Sequence, residues 1–497
     1  MQISTWVFKI LILFLVNFSR LSRAQTCSEV DRTALLGFKA RIFKDTTGIM
    51  SSWIGKDCCS GGWEGVQCDS VTGRVTQLVL QRPSDKDFGI YMKGTLSPTL
   101  GDLKFLEVLV ISGMKRLSGT IPTSFTGLVR LTQLALEDNS LEGTIPSSLG
   151  QLPLLQTLSL SGNHLTGPIP PTLLKLNKLF QLNLARNSFS GPLPAAMGGL
   201  ARLQYLDLSY NKLSGSIPVS LGQLSQLTLL DISNNQLSGA IPDSLCNLLK
   251  LVDLTLSNNL LTGQVPSRIG RLKSLNTLSL GSNRLVGQIP VSISQLQNLW
   301  YLNLSRNALS DPSPSYALSK GGLPGYFRKM SNLQNVKLSN NQLKANLSQI
   351  ILPSGLALLD LHSNQLSGSL SGLLRSASSF LETIDLSNNQ ITGNIPSTIS
   401  KLAKLKKLDV SRNHITGTIP PSLGNLSNLG WLDVSINSIG GKIPTSLLVA
   451  QLRHANFRAN KLCGEIPQGR PLNIFPPVAY AHNLCLCGKP LPPCKQP

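Results

Sequence analysis

From about residue 75 onward one spelling of apolar and polar positions recurs along the chain, L-x-x-L-x-L-x-x-N-x-L. In L-Q-Y-L-D-L-S-Y-N-K-L, strand alternation predicts Leu203, Leu206, Leu208 and Leu213 inward, with Gln204, Tyr205, Asp207, Ser209 and Tyr210 facing solvent. Each copy closes on an asparagine: Asn139, Asn163, Asn187, Asn211, Asn235, Asn259, Asn283 and Asn307 lie 24 residues apart. Asn341 then comes ten residues late, and the series resumes at Asn364, Asn389, Asn413, Asn437 and Asn460. A period of this size marks a stack of rungs, none of which can bury its apolar face without a neighbour. The asparagines turn inward, where an amide can satisfy backbone groups at the bend, so they are predicted to be structural.

After each asparagine comes a second element, L-x-G-x-I-P or a close variant, at Leu117, Leu141, Leu165, Leu213, Ile391, Ile415, Ile439 and Leu462. It is missing at Ala308, Leu343 and Leu366, so the late asparagine coincides with three rungs that lack this phase. About sixteen rungs are predicted over residues 75–467, with an irregular insertion near 308–330. Within the insertion, Tyr316, Tyr326, Phe327, Arg328 and Lys329 are candidates for a ligand-contacting loop, the alternative being a tolerated loop with a local change of curvature.

The L-x-G-x-I-P phase resembles the plant-specific class of leucine-rich repeats, in which it forms a second sheet on the flank. A-L-L-G-F-K from Ala34, S-S-W from Ser51 and C-C-S-G-G-W-E-G-V-Q-C from Cys58 resemble the N-terminal cap of secreted plant polygalacturonase-inhibiting proteins and receptor-like protein ectodomains. F-L-E-V-L-V-I-S-G-M-K from Phe105 is similar to secreted repeat proteins historically labelled as DNA-damage-toleration proteins, although no motif here supports DNA binding. The fold implied is an α/β-type solenoid, a plant-specific leucine-rich repeat superhelix with a concave parallel β-sheet and disulfide-locked caps. The resemblance also implies the pairs Cys27 with Cys58, Cys59 with Cys68, Cys463 with Cys485 and Cys487 with Cys494. Domain boundaries follow: signal peptide 1–24, N-terminal cysteine cap 25–74, repeats 75–467 and C-terminal cysteine cap 468–497.

Lys9, the apolar run Ile10 to Val16 and Ser22-Arg23-Ala24 predict an export signal cleaved after Ala24. No other stretch approaches the roughly 18 consecutive apolar residues of a membrane span, so a secreted chain in the extracellular space or cell wall is expected. Cysteine placement agrees, with eight of nine outside the repeats and only Cys246 within them, where a small buried position is predicted. The formal charge of +21 falls to +18 once Lys9, Arg20 and Arg23 are removed. For an exported chain this favours an acidic protein or anionic polysaccharide over nucleic acid.

Catalysis is not expected, and no cofactor or metal is called for. His164, His362, His414, His454 and His482 are scattered, no phosphate loop is present, and Asp207, Asp231, Asp360, Asp385, Asp409 and Asp433 read as repeat consensus. Binding through the concave sheet is the stronger reading, because a rigid array presents side chains with little ordering entropy. The candidate aromatic anchors are Phe180, Tyr205, Tyr210, Trp300, Tyr301 and Trp431. Arg186, Arg306, Lys337, Lys406, Lys407, Arg412, Arg453 and Arg458 are predicted on the same face or its rim. Asn303, Asn346 and Asn425 begin N-L-S glycosylation sequons, Asn303 on the strand face itself. Three partners fit: a wall-degrading enzyme or other extracellular protein, as for an inhibitor in plant defence; a peptide or receptor-kinase ectodomain, as for a soluble signalling component; or pectin, as for a structural wall protein.

Overall fold

The structure is a computed structural model that describes residues 26–82, 89–310, 330–375, 377 and 379–494. The predicted signal segment 1–24 and the loop residues Tyr316, Tyr326, Phe327, Arg328 and Lys329 lie outside the described residues. Two compact units divide at Lys212 and Leu213.

The first unit opens with helix Glu29–Lys39, whose Ala34, Leu35 and Phe38 are buried at helical spacing. Asp31 on the same helix is wholly buried, and its carboxylate accepts from Arg74 Nε (2.9 Å), Arg74 Nη2 (2.8 Å) and the Val75 amide (2.8 Å). A buried charge is tolerated when it is this fully bonded, and the contact ties the helix to the start of strand Val75–Gln81. Trp53 and Trp63 stack 5.3 Å apart, and their indole N–H groups donate to the carbonyls of Glu64 and Ile54. Disulfides Cys27–Cys58 and Cys59–Cys68 close the same region. Strand Val66–Cys68 pairs antiparallel with Val75–Gln81, after which Val108–Ser112, Gln133–Ala135, Thr157–Ser159, Gln181–Asn183 and Tyr205–Asp207 add in parallel. A flank sheet runs beside them through Met92–Thr95, Lys115–Gly119, Ser140–Gly143, His164–Gly167 and Ser188–Pro192.

In the second unit the strand sheet is parallel throughout, from Leu229–Asp231 to His454–Asn456. The late asparagine does not interrupt it. Tyr301–Asn303 pairs directly with Asn335–Lys337, in the register used by every other rung. The flank sheet behaves differently: Ala308–Ser310 pairs with Val286–Gln288, and beyond Ser310 only isolated bridges remain until Gly440–Gly441, Lys461–Glu465 and Cys485–Cys487. Ile391 and Ile415 keep the G-x-I-P spelling yet make single bridges. Amides in these segments still bond the rung before, as Thr392 N to Gly368 O (2.9 Å) and Thr416 N to Gly393 O (2.7 Å), so the flank stays connected without forming full strands. The rung of Leu366, which lacks the phase, forms the α-helix Leu370–Leu374, capped by Ser369, whose hydroxyl accepts from the Gly372 amide. Disulfides Cys463–Cys485 and Cys487–Cys494 lock the last strands.

The asparagines bind rung to rung. Asn259 Nδ2 donates to the carbonyls of Ile232 (3.0 Å), Leu256 (3.1 Å) and Ser257 (3.3 Å), while its Oδ1 accepts from the Leu237 amide (3.0 Å). Asn341 makes the same set across the late step, with Leu304 O and Leu309 N as partners. One further step appears at Asn483, inside the stretch predicted as C-terminal cap: it donates to Phe457 O and accepts from Leu462 N. The residue before each asparagine is left-handed, as at Asn258 (φ 55°), Tyr210 (φ 54°) and Ile436 (φ 53°). Most returning segments are 3-10 helices, many entered through proline, such as Val219–Gln223 after Pro218. They pack closely enough that a Cβ on Gly222 would lie 2.2 Å from Ser244 O.

Ser209, predicted to face solvent, is 5 % exposed. It sits where the chain begins to bend inward, and its amide donates to Asp207 Oδ1 at 3.0 Å.

Two outcomes follow from the ladder. Asn259→Ala strands buried carbonyls and an amide, and should cost about 2–3 kcal/mol, read as a lower guanidinium midpoint for the disulfide-intact chain. Ile436→Asn relieves a β-branched residue held left-handed and should gain about 1 kcal/mol. It must be made without N-glycosylation, because the change writes a sequon with Ser438. An unchanged or lower midpoint would show that the turn tolerates isoleucine freely.

Candidate recognition surface

In the first unit the candidate residues fall into two rows. Phe180 (38 % exposed) and the half-buried Tyr205 flank and begin adjacent strands, with the Tyr205 amide donating to Phe180 O at 3.0 Å. Arg186 and Tyr210 are in the left-handed turns that follow the strands, with φ of 54° each, so they edge the sheet rather than standing on it.

The second unit brings its candidates together in two clusters. Trp300, 43 % exposed, lies 5.8 Å from Tyr301, and Lys337 Nζ is 5.8 Å from the Tyr301 ring. Further along, Lys407, Trp431 and His454 occupy one register row on successive strands. Trp431 (40 % exposed) stacks on the His454 ring at 3.7 Å and carries Lys407 Nζ 5.6 Å from its centroid. Lys407 also pairs with Asp385 (2.8 Å), and Lys406 with Glu382 (2.6 Å). Arg306 and Arg412 occupy left-handed turns, on the edge like Arg186. Arg453 and Arg458 are exposed and line a cleft of about 250 Å³ beside Phe475, Pro476 and Val478.

Residues 28–69 match the family described as leucine rich repeat N-terminal domain, residues 90–260 the leucine-rich repeat region, and residues 250–309 and 379–439 the leucine rich repeat. The chain is a leucine-rich-repeat protein. The repeat protein is 33 % identical over 136 residues to the DNA damage-repair/toleration protein DRT100 of Arabidopsis thaliana, covering 26 % of this chain and 37 % of that one. It is 34 % identical over 116 residues to a polygalacturonase inhibitor of Vitis vinifera, covering 23 % of this chain and 32 % of the inhibitor. Each alignment spans about a third of the curated relative's length. Among solved structures it is similar to the plant peptide hormone receptor RGFR1 in complex with RGF2, at 27 % identity and a TM-score of 0.53, covering 80 % of this chain and 81 % of that one. Such similarities make it a plant-type repeat protein related to extracellular ectodomains. No helix among its described residues is long and apolar enough to cross a membrane, and its four disulfides belong to an oxidising compartment.

The aspartate column of the repeat protein has a local task. Asp207, Asp231, Asp385, Asp409 and Asp433 each accept from the backbone amide two residues on, which steadies the entry to the turn. Asp360, Asp385, Asp409 and Asp433 nevertheless stand side by side on adjacent strands. Burial, reinforced by Asp385 and Asp433, raises the Asp409 carboxyl above its ordinary range against the Ser411 hydrogen bond. Asp360 is also desolvated, but contact with His362 holds its carboxyl low. His362, which the sequence did not single out, places Nδ1 2.6 Å from Asp360 and Nε2 2.8 Å from Asn340 Nδ2, and the Asp360 contact raises its pKa. The D-x-H spacing was its one signal. Asp360, His362 and Asp385 come within 4.8 Å of one another, but His362 and Lys407 already occupy the carboxylates.

Cys246 is buried, and burial pushes its thiol up to about 11, leaving it protonated and unreactive. Asn346 and Asn425 are exposed, whereas Asn303 is half-buried on its strand and its Oδ1 accepts from Ser305 N and Oγ. A glycan on Asn303 would cover the Trp300 and Tyr301 cluster, since Tyr301 and Asn303 alternate onto one face.

Asp409→Asn keeps the acceptor for Ser411 and removes the like charge. A raised carboxyl pKa favours the fold in acid and loses that contribution as pH rises through the folded value. The variant should therefore gain stability at pH 7 by up to about 1 kcal/mol, with the gain vanishing below pH 4. Thermal melts across that range check it, and a pH-independent difference would contradict the charge argument.

Proposed function

We propose that this chain is a non-catalytic extracellular recognition protein that binds a protein partner through the strand face of its second unit. The observation that carries the reading is the pair of clusters there, Trp300 with Tyr301 and Lys337, and Trp431 with Lys407 and His454. Each exposes an indole on a rigid strand array beside a cation. Tryptophan, tyrosine and arginine dominate binding energies at interfaces because large rigid rings bury much area at little entropic cost. Arg306 and Arg412 at the strand ends suit a charged rim. Similarity to a polygalacturonase inhibitor and to a receptor described in complex with RGF2 supports a partner of protein or peptide chemistry. On this reading residues 1–24 direct export, 25–74 and 468–497 cap the stack, and 75–467 present the binding face.

The test is affinity capture from plant extracellular fluid with the chain lacking residues 1–24, compared with Trp300→Ala/Tyr301→Ala, Trp431→Ala and Tyr205→Ala/Tyr210→Ala. Truncating a hot-spot ring costs about 2 kcal/mol or more, so each second-unit variant should hold the captured protein at least tenfold more weakly. The Tyr205/Tyr210 variant should hold it as the parent does. Equal retention by all four baits would sink the proposal. Capture of pectin alone, released by moderate salt, would instead identify a structural wall protein held by charge.

A further inference from the structure

The cleft beside Arg453 and Arg458 has a chemistry of its own. Its wall combines those two arginines with His454, Asn456, the buried Phe475 and the exposed Pro476 and Val478. Neither guanidinium has an ion-pair or hydrogen-bond partner among the described residues, in contrast to Lys406 and Lys407 nearby. Asn456, which could compete as an acceptor, is engaged: its Nδ2 donates to Asp433 Oδ2 (3.1 Å) and its Oδ1 accepts the Arg458 amide (3.2 Å). The Arg453 backbone is fixed by the preceding rung, where the Gly430 carbonyl accepts its amide (2.8 Å). His454 Nε2 is buried without a hydrogen-bond partner. Two unspent cations and an apolar wall therefore converge on about 250 Å³. That is below the ~300–1,000 Å³ of drug-sized sites and suits a single ring or side chain with one charged head.

The geometry points to a binding site for an apolar carboxylate, with the anion on Arg453 and Arg458 and the hydrocarbon against Phe475, Pro476 and Val478. Planar guanidinium groups match a carboxylate better than any other side chain, and a pair of them disfavours a neutral or cationic occupant. A polyuronate supplies the anion but not the apolar body, so it is the weaker fit. The inference refines the recognition reading by naming a ligand class; it shares His454 with the Trp431 cluster but rests on Arg453, Arg458 and Val478, none of which is changed in the capture variants. Loss of capture by Trp300→Ala/Tyr301→Ala and loss of carboxylate binding by Arg453→Ala/Arg458→Ala can therefore be told apart.

Ligand-observed NMR on the whole chain, with phenylacetate, phenylacetamide and the peptide Gly-Gly-Ser-Phe as free acid and as amide, tests it. Phenylacetate should bind saturably, phenylacetamide should not, and Arg453→Ala/Arg458→Ala should weaken phenylacetate at least tenfold. Val478→Asp, at an exposed position that does not hold the fold, should weaken it as well. If the free-acid peptide also binds and its amide does not, the natural source is a chain end. If phenylacetate alone binds, it is a small organic acid. Absence of saturable binding by either carboxylate probe, equal binding of phenylacetamide, or undiminished binding to the double variant whose circular dichroism matches the parent overturns the assignment.

Discussion

Everything in this molecule depends on one carboxamide per rung. A solenoid brings backbone to a bend every 24 residues or so, and each bend leaves carbonyls and an amide that neither sheet can reach. Asparagine has both a two-hydrogen donor and an acceptor on a side chain short enough to stay in the bend. It therefore fastens its own rung and the one before it in a single gesture, as Asn259 does with Ile232 O and Leu237 N. The leucines supply most of the burial free energy, but non-directional attraction alone does not fix register. The amide does, and this is why every strand pair in the second unit's main sheet shares one alignment.

With register fixed, the face becomes a grid, and the chemistry of the candidate surface is a matter of which columns fall together. Lys407, Trp431 and His454 become neighbours only because successive strands present the same position. The aspartates share a column for the same reason, each already answering a turn amide, so their proximity is a by-product of a repeated local device. Burial, with the neighbouring carboxylates, then raises Asp409, while His362 and Lys407 relieve Asp360 and Asp385. Within that column, cations are therefore set against carboxylates locally.

How far the sequence could be read follows from these causes. Inward leucines and the asparagine ladder were legible because they recur, and recurrence reports a shared backbone. What did not recur was harder to see. Asn483 continues the ladder without the leucine frame that announces it elsewhere, and only its spacing of 23 from Asn460 could have flagged it. Ser209 and Tyr210 were read by strand alternation past the point where the strand had already begun to turn. The flank phase at Ile391 and Ile415 was spelled correctly and keeps its rung-to-rung amide bonds, yet it forms bridges instead of full strands, which the motif alone did not reveal. Salt bridges such as Lys407 with Asp385 lie 22 residues apart, a distance that means contact only once the rung height is known.

The late asparagine carries a last consequence, for what the chain can accept. Tyr301–Asn303 meets Asn335–Lys337, and Asn341 reaches Leu304, as if nothing had been added between them. By chain entropy alone, closing a circuit of 34 residues instead of 24 costs only about 0.3 kcal/mol more, because that term grows with the logarithm of length. The main sheet thus accommodates a longer step at little entropic expense, and the change is registered on the flank, where regular pairing gives way to bridges beyond Ser310.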